Sequence, residues 1–424
     1  MGHGTIVLSG WPLFGIENPL MQTRRTNTRT VLFRLGLIGV LSIATTQAAP
    51  PDPGQRPGFR PHFMRQGDGR GGWVVRRAEC QQLRFHQRGW SVGFGVTQMD
   101  NGEVVLLGLC DVKKSLWYGA GTGEQTFIAF SKDRGGTWTS LDRVVDGAGH
   151  QVGRPIMLAN LGRGHLSYIG GMNKRYISSD YGRTWVGVTR QPCTRGGRVE
   201  AEGNPWVDLG PDGRATRMAM IGLSRAGKPP GSPTFYPGLN FIRWSDDGGR
   251  TWRDEVRPPN WRASEGSLVR AKNGWLVAAL RTQVPVAYAG SEGDEYRCLR
   301  VSISRDEGKT WTEPKPLADG RMHPNLLRMP NGDLVMTLVV RHDLKDGRRV
   351  SHRKGCEAVI SRDNGLTWDL GRKIILDEWQ FYDHHIPGHG QTGHLFSALL
   401  DDGSILTVHN NYLTMGLTLI RWKP

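Results

Sequence analysis

From Trp73 onward, short apolar runs alternate with Asn-Gly, Asp-Gly and other Gly-bearing breaks, and this pattern predicts a chain built almost wholly of β-strands. Six pairs of apolar runs read as hairpins, over residues 93–109, 154–170, 204–223, 265–281, 323–341 and 394–410. Each pair is followed by a loop of variable length and then by a further strand. In the first five units that strand leads into one phrase, Ser-x-Asp-x-Gly-x-Thr-Trp, at Ser131–Trp138, Ser178–Trp185, Ser245–Trp252, Ser304–Trp311 and Ser361–Trp368. The five tryptophans are separated by 47, 67, 59 and 57 residues, one supersecondary unit per copy.

The phrase reads as a hairpin turn. Asp and Gly suit a tight bend, Ser and Thr hydroxyls can satisfy its amides, and Trp fills the gap between neighbouring sheets. It resembles the Asp-box of the sialidase superfamily, and the resemblance covers roughly residues 78–424. It implies an all-β fold, a six-bladed β-propeller with Asp-box hairpins in five blades. The sixth unit lacks the phrase and ends in Leu417–Trp422, so Trp73–Arg77, or the segment just after it, is expected to supply the last strand and close the ring.

In such a ring the start of each first strand and the end of each second strand converge on one mouth, with the repeated turns on the opposite face. The starts are Gly93, Arg154, Asn204 with Glu202 just before it, Glu265, His323 and His394. The ends are Asp111, Gly171, Arg281, Arg341 and His409-Asn410. So many ionisable groups aimed at one concavity suit a polar ligand or a catalytic site, although strand ends also carry polar residues merely because they meet water.

The resemblance further implies three arginines around a substrate carboxylate, a Glu that polarises a Tyr nucleophile, and an Asp acid/base. Glu265 and Arg281 look like that glutamate and the second arginine. Arg341 looks like the third, with Arg321 as an alternative, and Asp111 is the counterpart of the acid/base. Two positions depart from the pattern. Gly93-Phe94-Gly95 stands where the first arginine belongs, while an Arg-Pro start occurs one unit later at Arg154-Pro155. Gly393-His394 stands where the tyrosine belongs, leaving Tyr382 in the preceding loop.

These residues lead to an expected exported glycosidase acting on an acidic sugar or glycan. Glu265, His323, His394, Asp111 and Glu202 are the catalytic candidates, and Arg154, Arg281, Arg341, Asn204 and His409 the substrate-binding ones. A polysaccharide lyase or a glycosidase for a non-sialic sugar is the second reading, with His abstracting a proton and Arg neutralising a carboxylate. A non-catalytic carbohydrate- or protein-binding propeller is the third. No cofactor is expected, and the loop Phe381–His389, with three histidines and one Asp, has no defensible metal-ligand spacing.

Composition changes the picture mainly at the N-terminus. Residues 1–49 read as a signal region starting at Met21, with Arg24, Arg25, Arg29 and Arg34 before the apolar run 35–44 and small residues up to Ala49. That run is too short to span a bilayer comfortably, so no stable membrane insertion is expected after cleavage. Residues 50–77 read as a disordered Pro/Gly/Arg-rich linker. Residues 1–77 hold ten Arg against three acids, which leaves +9 of the total +16 for the rest. A basic surface suits acidic polysaccharide or a charged envelope, and no basic stripe interleaved with aromatics points to nucleic acid. The five cysteines are scattered, which excludes a zinc cage and allows at most two disulfides.

Overall fold

The computed structural model describes residues 58–84, 90–111, 124–139, 142–145, 147, 149, 156–169, 174–190, 199–200, 205–224, 239–253, 258, 261, 263–282, 298–345, 348–381, 392–411 and 416–424. Among them the structure is all-β apart from one 3₁₀ turn, Leu370–Arg372. No described helix is long and apolar enough to cross a membrane.

Antiparallel strands form four four-stranded sheets, one of nine strands and one of two, in a propeller-like arrangement. The nine-stranded sheet runs Arg321–Arg328, Leu334–Val340, Arg353–Ser361, Ile374–Gln380, Arg60–Gly67, Trp73–Leu83, Gly416–Trp422, Ile405–Asn411, Thr392–Leu399. It is four strands of one unit and three of the next, joined through the two strands of the hairpin 60–83. Trp90–Gln98, Ile156–Gly162, Trp206–Leu209, Ala263–Arg270, Arg321–Arg328 and Thr392–Leu399 each contact the next, and the last contacts the first.

The sequence predicts a linker over 50–77, and here the structure differs. Arg60–Gly67 and Trp73–Leu83 are paired strands from Arg60↔Cys80 to Gly67↔Trp73. The reason is local: Met64 is 1% exposed against Ile374, Leu376, Ile420 and Trp422, so the segment does have a core to enter. The closing strand is the expected one in its later part, Glu79–Leu83 pairing with Arg421–Leu417.

The turns explain themselves chemically. At the inner turns a side-chain oxygen of Asn101, Asp212, Asn273, Asn331 or Asp402 accepts the amide two residues on, at 2.9–3.1 Å. The following glycines, such as Gly102 (φ 84°), take left-handed φ. In all five copies of the repeated phrase the Ser hydroxyl donates to the Asp carboxylate at 2.7–2.8 Å and accepts the Gly amide at 2.6–2.8 Å. The Thr hydroxyl donates to the other carboxylate oxygen at 2.5–2.8 Å. These donors keep the carboxylates below their usual range, Asp306 at about 2, with Thr310 the largest cause. The tryptophans fill seams: Trp185 packs among Val105, Leu107 and Ile128 of one sheet and Leu166, Tyr168 and Tyr176 of the next.

All four described cysteines, Cys80, Cys110, Cys298 and Cys356, are free thiols, so no disulfide joins described residues. Burial pushes the Cys80 thiol up to about 12 and Cys298 up to about 11.

Two glycines separate backbone strain from packing. A Cβ at Gly102 (φ 84°) meets nothing within 4 Å, whereas one at Gly308 (φ 82°) would sit 2.2 Å from the Trp244 ring. Gly102→Ala should cost about 1 kcal/mol and Gly308→Ala at least about 2 kcal/mol more, read as denaturant midpoints at unchanged slope. Equal losses would show that the seam can give.

Candidate functional site

Five of the innermost strands carry a register shift near their start, between Gly93 and Gly95, Ile156 and Ala159, Ala263 and Gly266, Met322 and Asn325, and Thr392 and Leu395. At four of them two residues face one: Met157-Leu158 opposite Tyr168, Ser264-Glu265 opposite Arg281, His323-Pro324 opposite Leu338, and Gly393-His394 opposite Asn410. A bulge twists its strand and re-aims a side chain. His323 also sits at φ 47°, a left-handed conformation that costs a non-glycine residue about 1–2 kcal/mol.

The re-aimed side chains meet. Arg281 Nη1 donates to Glu265 Oε1 at 2.6 Å, and the Ser264 hydroxyl donates to Oε2. His323 Nε2 lies 3.6 Å from Glu265 Oε1. The His323 and His394 rings are edge to face, centroids 4.7 Å apart, and Phe94 packs on His394 at 4.8 Å. A continuous line of contact thus crosses three sheets, from Phe94 through His394, His323 and Glu265 to Arg281. These side chains are 2–8% exposed. Next to Arg281 the Glu265 carboxylate is partnered as an anion, which suits it to orient and charge-stabilise an imidazole or a developing cation.

Cross-sheet hydrogen bonds hold the strands that carry these groups. Asn240 brackets Ala263, accepting its amide at 2.8 Å and donating to its carbonyl at 3.1 Å. Leu326 N donates to Ser267 Oγ at 3.0 Å, Ser397 N to Asn325 Oδ1 at 3.1 Å, and Gly93 N to Asn410 Oδ1 at 3.2 Å.

The other expected residues fare differently. Arg341, half-buried, lies at the His323 end of its sheet, its amide donating to Gly320 O at 3.1 Å and its carbonyl held by Lys354 Nζ. Asp111 ends its strand opposite Trp90, also at that end. Arg154, Glu202, Asn204 and the loop from Tyr382 to His389 lie outside the described residues. His409 was expected to bind substrate at the rim, but it is 0% exposed, its Nε2 3.2 Å from Asp377 Oδ2 and its ring stacked on Trp379. Burial opposes its charge, yet Cys356 and Asp377 beside it raise the imidazolium to about 10. Buried within the nine-stranded sheet, it does not line the rim. Among the described residues no group of three or more His, Cys, Asp and Glu is placed to hold a metal.

The sequence reading misses a charge cluster at the same end as His323. Glu357, 2% exposed, meets Arg353 at 2.5 Å, Lys373 at 3.1 Å and Arg321 at 3.3 Å. Asp343 meets Arg321 at 3.0 Å and Arg353 at 3.3 Å. Arg321, the alternative third arginine, is therefore already committed to two carboxylates. The available signal was Arg353 and Glu357 four apart, hence on one face of one strand.

No family model matches the chain. A sialidase of Paraclostridium sordellii is 28% identical over 141 residues, 30% of this chain and 31% of the relative's own length. A protein of unknown function from Dyadobacter fermentans superposes with a TM-score of 0.61 at 18% identity, over 87% of this chain and all of the other. A Hadza microbial sialidase, Hz136, superposes at 0.55 and 16% identity, over 83% of this chain and 70% of the other. The chain shares a propeller-like fold with these solved structures.

Burial alone would raise the Glu357 carboxyl, but Arg321, Arg353 and Lys373 overcome it and hold the group well below the usual range. Such a depressed group stabilises the fold above its unfolded value of 4.5, and the contribution is lost as pH falls through the folded value. Glu357→Gln should therefore cost about 3–5 kcal/mol at neutral pH, with the gap to the parent narrowing below pH 4.5. Thermal melts of both chains across pH check this, and a gap independent of pH would contradict it.

Proposed function

We propose that this protein is an exported six-bladed propeller enzyme, a sialidase-related glycoside hydrolase acting on an acidic sugar or glycan. The ring of six innermost strands and the nine-stranded sheet, read as two blades joined by the 60–83 hairpin, support the blade count. The signal-like residues 1–49 support export.

One observation carries the activity: Glu265 is bonded to Arg281 at 2.6 Å and stands 3.6 Å from His323, on bulges that aim all three into one centre. In this reading Arg281 and Ser264 hold the Glu265 carboxylate, and Glu265 orients His323 and balances its charge when it takes a proton. His394 backs His323 through the edge-to-face contact. The guanidinium of Arg281, with Arg341 at the same end, attracts the substrate's acidic group. His323 standing beside a carboxylate and an arginine also favours the lyase reading, in which the imidazole removes the proton α to a uronate carboxylate.

Turnover of the full chain should be measured on fluorogenic sialosides, uronosides and uronic-acid polysaccharides. Hydrolysis should release a free acidic sugar, whereas a lyase would build ultraviolet absorbance from a new uronate double bond. Glu265→Gln should lower kcat/KM about 10²–10⁴-fold and Arg281→Ala should raise KM for acidic more than for neutral substrates. Full activity of Glu265→Gln would remove Glu265 from the chemistry. Retained glycan binding with no turnover on any substrate would leave a binding propeller.

A further inference from the structure

Ten large apolar side chains are exposed among the described residues, and four of them, Phe63, Trp73, Val74 and Val75, lie on the 60–83 hairpin. The others are scattered along the chain. The pairing Phe63↔Arg77, Arg65↔Val75 and Gly67↔Trp73 puts Phe63, Arg65, Trp73, Val75 and Arg77 on one face of the hairpin, because directly opposed residues share a face. Phe63 is 64% exposed, Val75 64% and Trp73 45%, while Met64 on the opposite face is buried. The Arg65 guanidinium lies 5.0 Å from the Trp73 ring centroid, inside the apolar strip.

Charge goes with the apolar surface. Residues 58–77 carry five arginines against one acid, Asp68. Arg60 and Arg76 lie on the opposite face, Arg65 is paired with Glu378 and Glu79 with Arg421, and Arg70 and Arg77 give this face its positive charge. At the tip Gly67 N donates to Lys373 O, and Arg372, paired with Asp369 at 3.0 Å, lies against Gly69. Both edges of the hairpin are already paired, Arg65–Gln66 with Ile374–Ile375 and Glu79–Leu83 with Leu417–Arg421. These pairings cover only part of each edge, and the exposed apolar side chains lie on the face.

We infer that this face of the closing hairpin docks on an anionic lipid surface, with Phe63, Trp73 and Val75 entering the interface and Arg70 and Arg77 meeting the headgroups. A second copy of the chain would bring two cationic faces together, whereas an anionic bilayer complements the charge. The hairpin tip lies beside Leu370–Arg372, just after the turn Ser361–Trp368, and so at the end of the strands opposite the Glu265 centre. Docking there leaves the candidate site facing away from the bilayer. The attachment is peripheral, since apolar anchors and charge act together and neither crosses the membrane.

The test is flotation of the full chain with vesicles of phosphatidylcholine alone or with one third phosphatidylglycerol, at low and high salt. Every chain carries Ile38→Asp and Leu41→Asp, so that the apolar run 35–44 contributes nothing. Binding is expected on the anionic vesicles only, weakening with salt. Phe63→Ser/Trp73→Ser/Val75→Ser should lower the partition coefficient at least about ten-fold at unchanged melting temperature. Arg70→Glu/Arg77→Glu, which leaves the apolar side chains in place, should lower it similarly on anionic vesicles. Equal binding of the parent and both variants overturns the inference. So does salt-insensitive binding to pure phosphatidylcholine, or dimerisation in sedimentation that the serine variant abolishes while no chain binds vesicles.

Discussion

The pairing of Glu79–Leu83 with Leu417–Arg421 is the interaction on which the rest depends. A ring of sheets has a first and a last strand that must meet, and each would otherwise present unpaired backbone to water. Here the two ends of the chain complete one sheet, and Arg60–Gly67 then runs on to the neighbouring unit through Ile374–Ile375. Closure matters for the centre as well as for stability. His394 lies on the last innermost strand, packed on Phe94 from the first and on His323 from the one before, and the Asn410 side chain accepts the Gly93 amide. Those contacts exist only in a closed ring.

A second constraint is how a regular sheet delivers polar groups to one point. Strand geometry alone sends alternate side chains to opposite faces, which would leave Glu265, His323 and His394 pointing into seams. The bulges break the alternation at these residues, and the left-handed backbone at His323 is strain held by the packed strands around it. Nearby, the charges of Glu357, Asp343, Arg321, Arg353 and Lys373 satisfy one another. A buried carboxylate without those cations would be costly, so the cluster is stiff as a unit and sensitive to any one loss.

Much of the fold was legible because it is local. The five repeated phrases contain every donor and acceptor of their own turn, and the Asn and Asp residues before the inner glycines cap theirs, so these elements form wherever the sequence is placed. Six hairpins at regular spacing then leave few arrangements open. The strand 60–67 escaped notice because Pro, Gly and Arg dominate its composition, while the single side chain that buries it, Met64, owes its burial to strands some three hundred residues away.

The centre divides in the same way. Glu265 and Arg281 were readable as a pair because they lie on one hairpin, across from each other. That His323 joins them, that His394 backs it, and that His409 is instead buried against Asp377 depend on which sheets become neighbours and on bulges that no residue type announces. The sequence by itself determined turns, strands and their repetition, since those rest on hydrogen bonds and backbone preferences within a few residues. Only the tertiary structure decided the site, because its contacts join distant segments whose meeting is set by ring closure and packing between sheets.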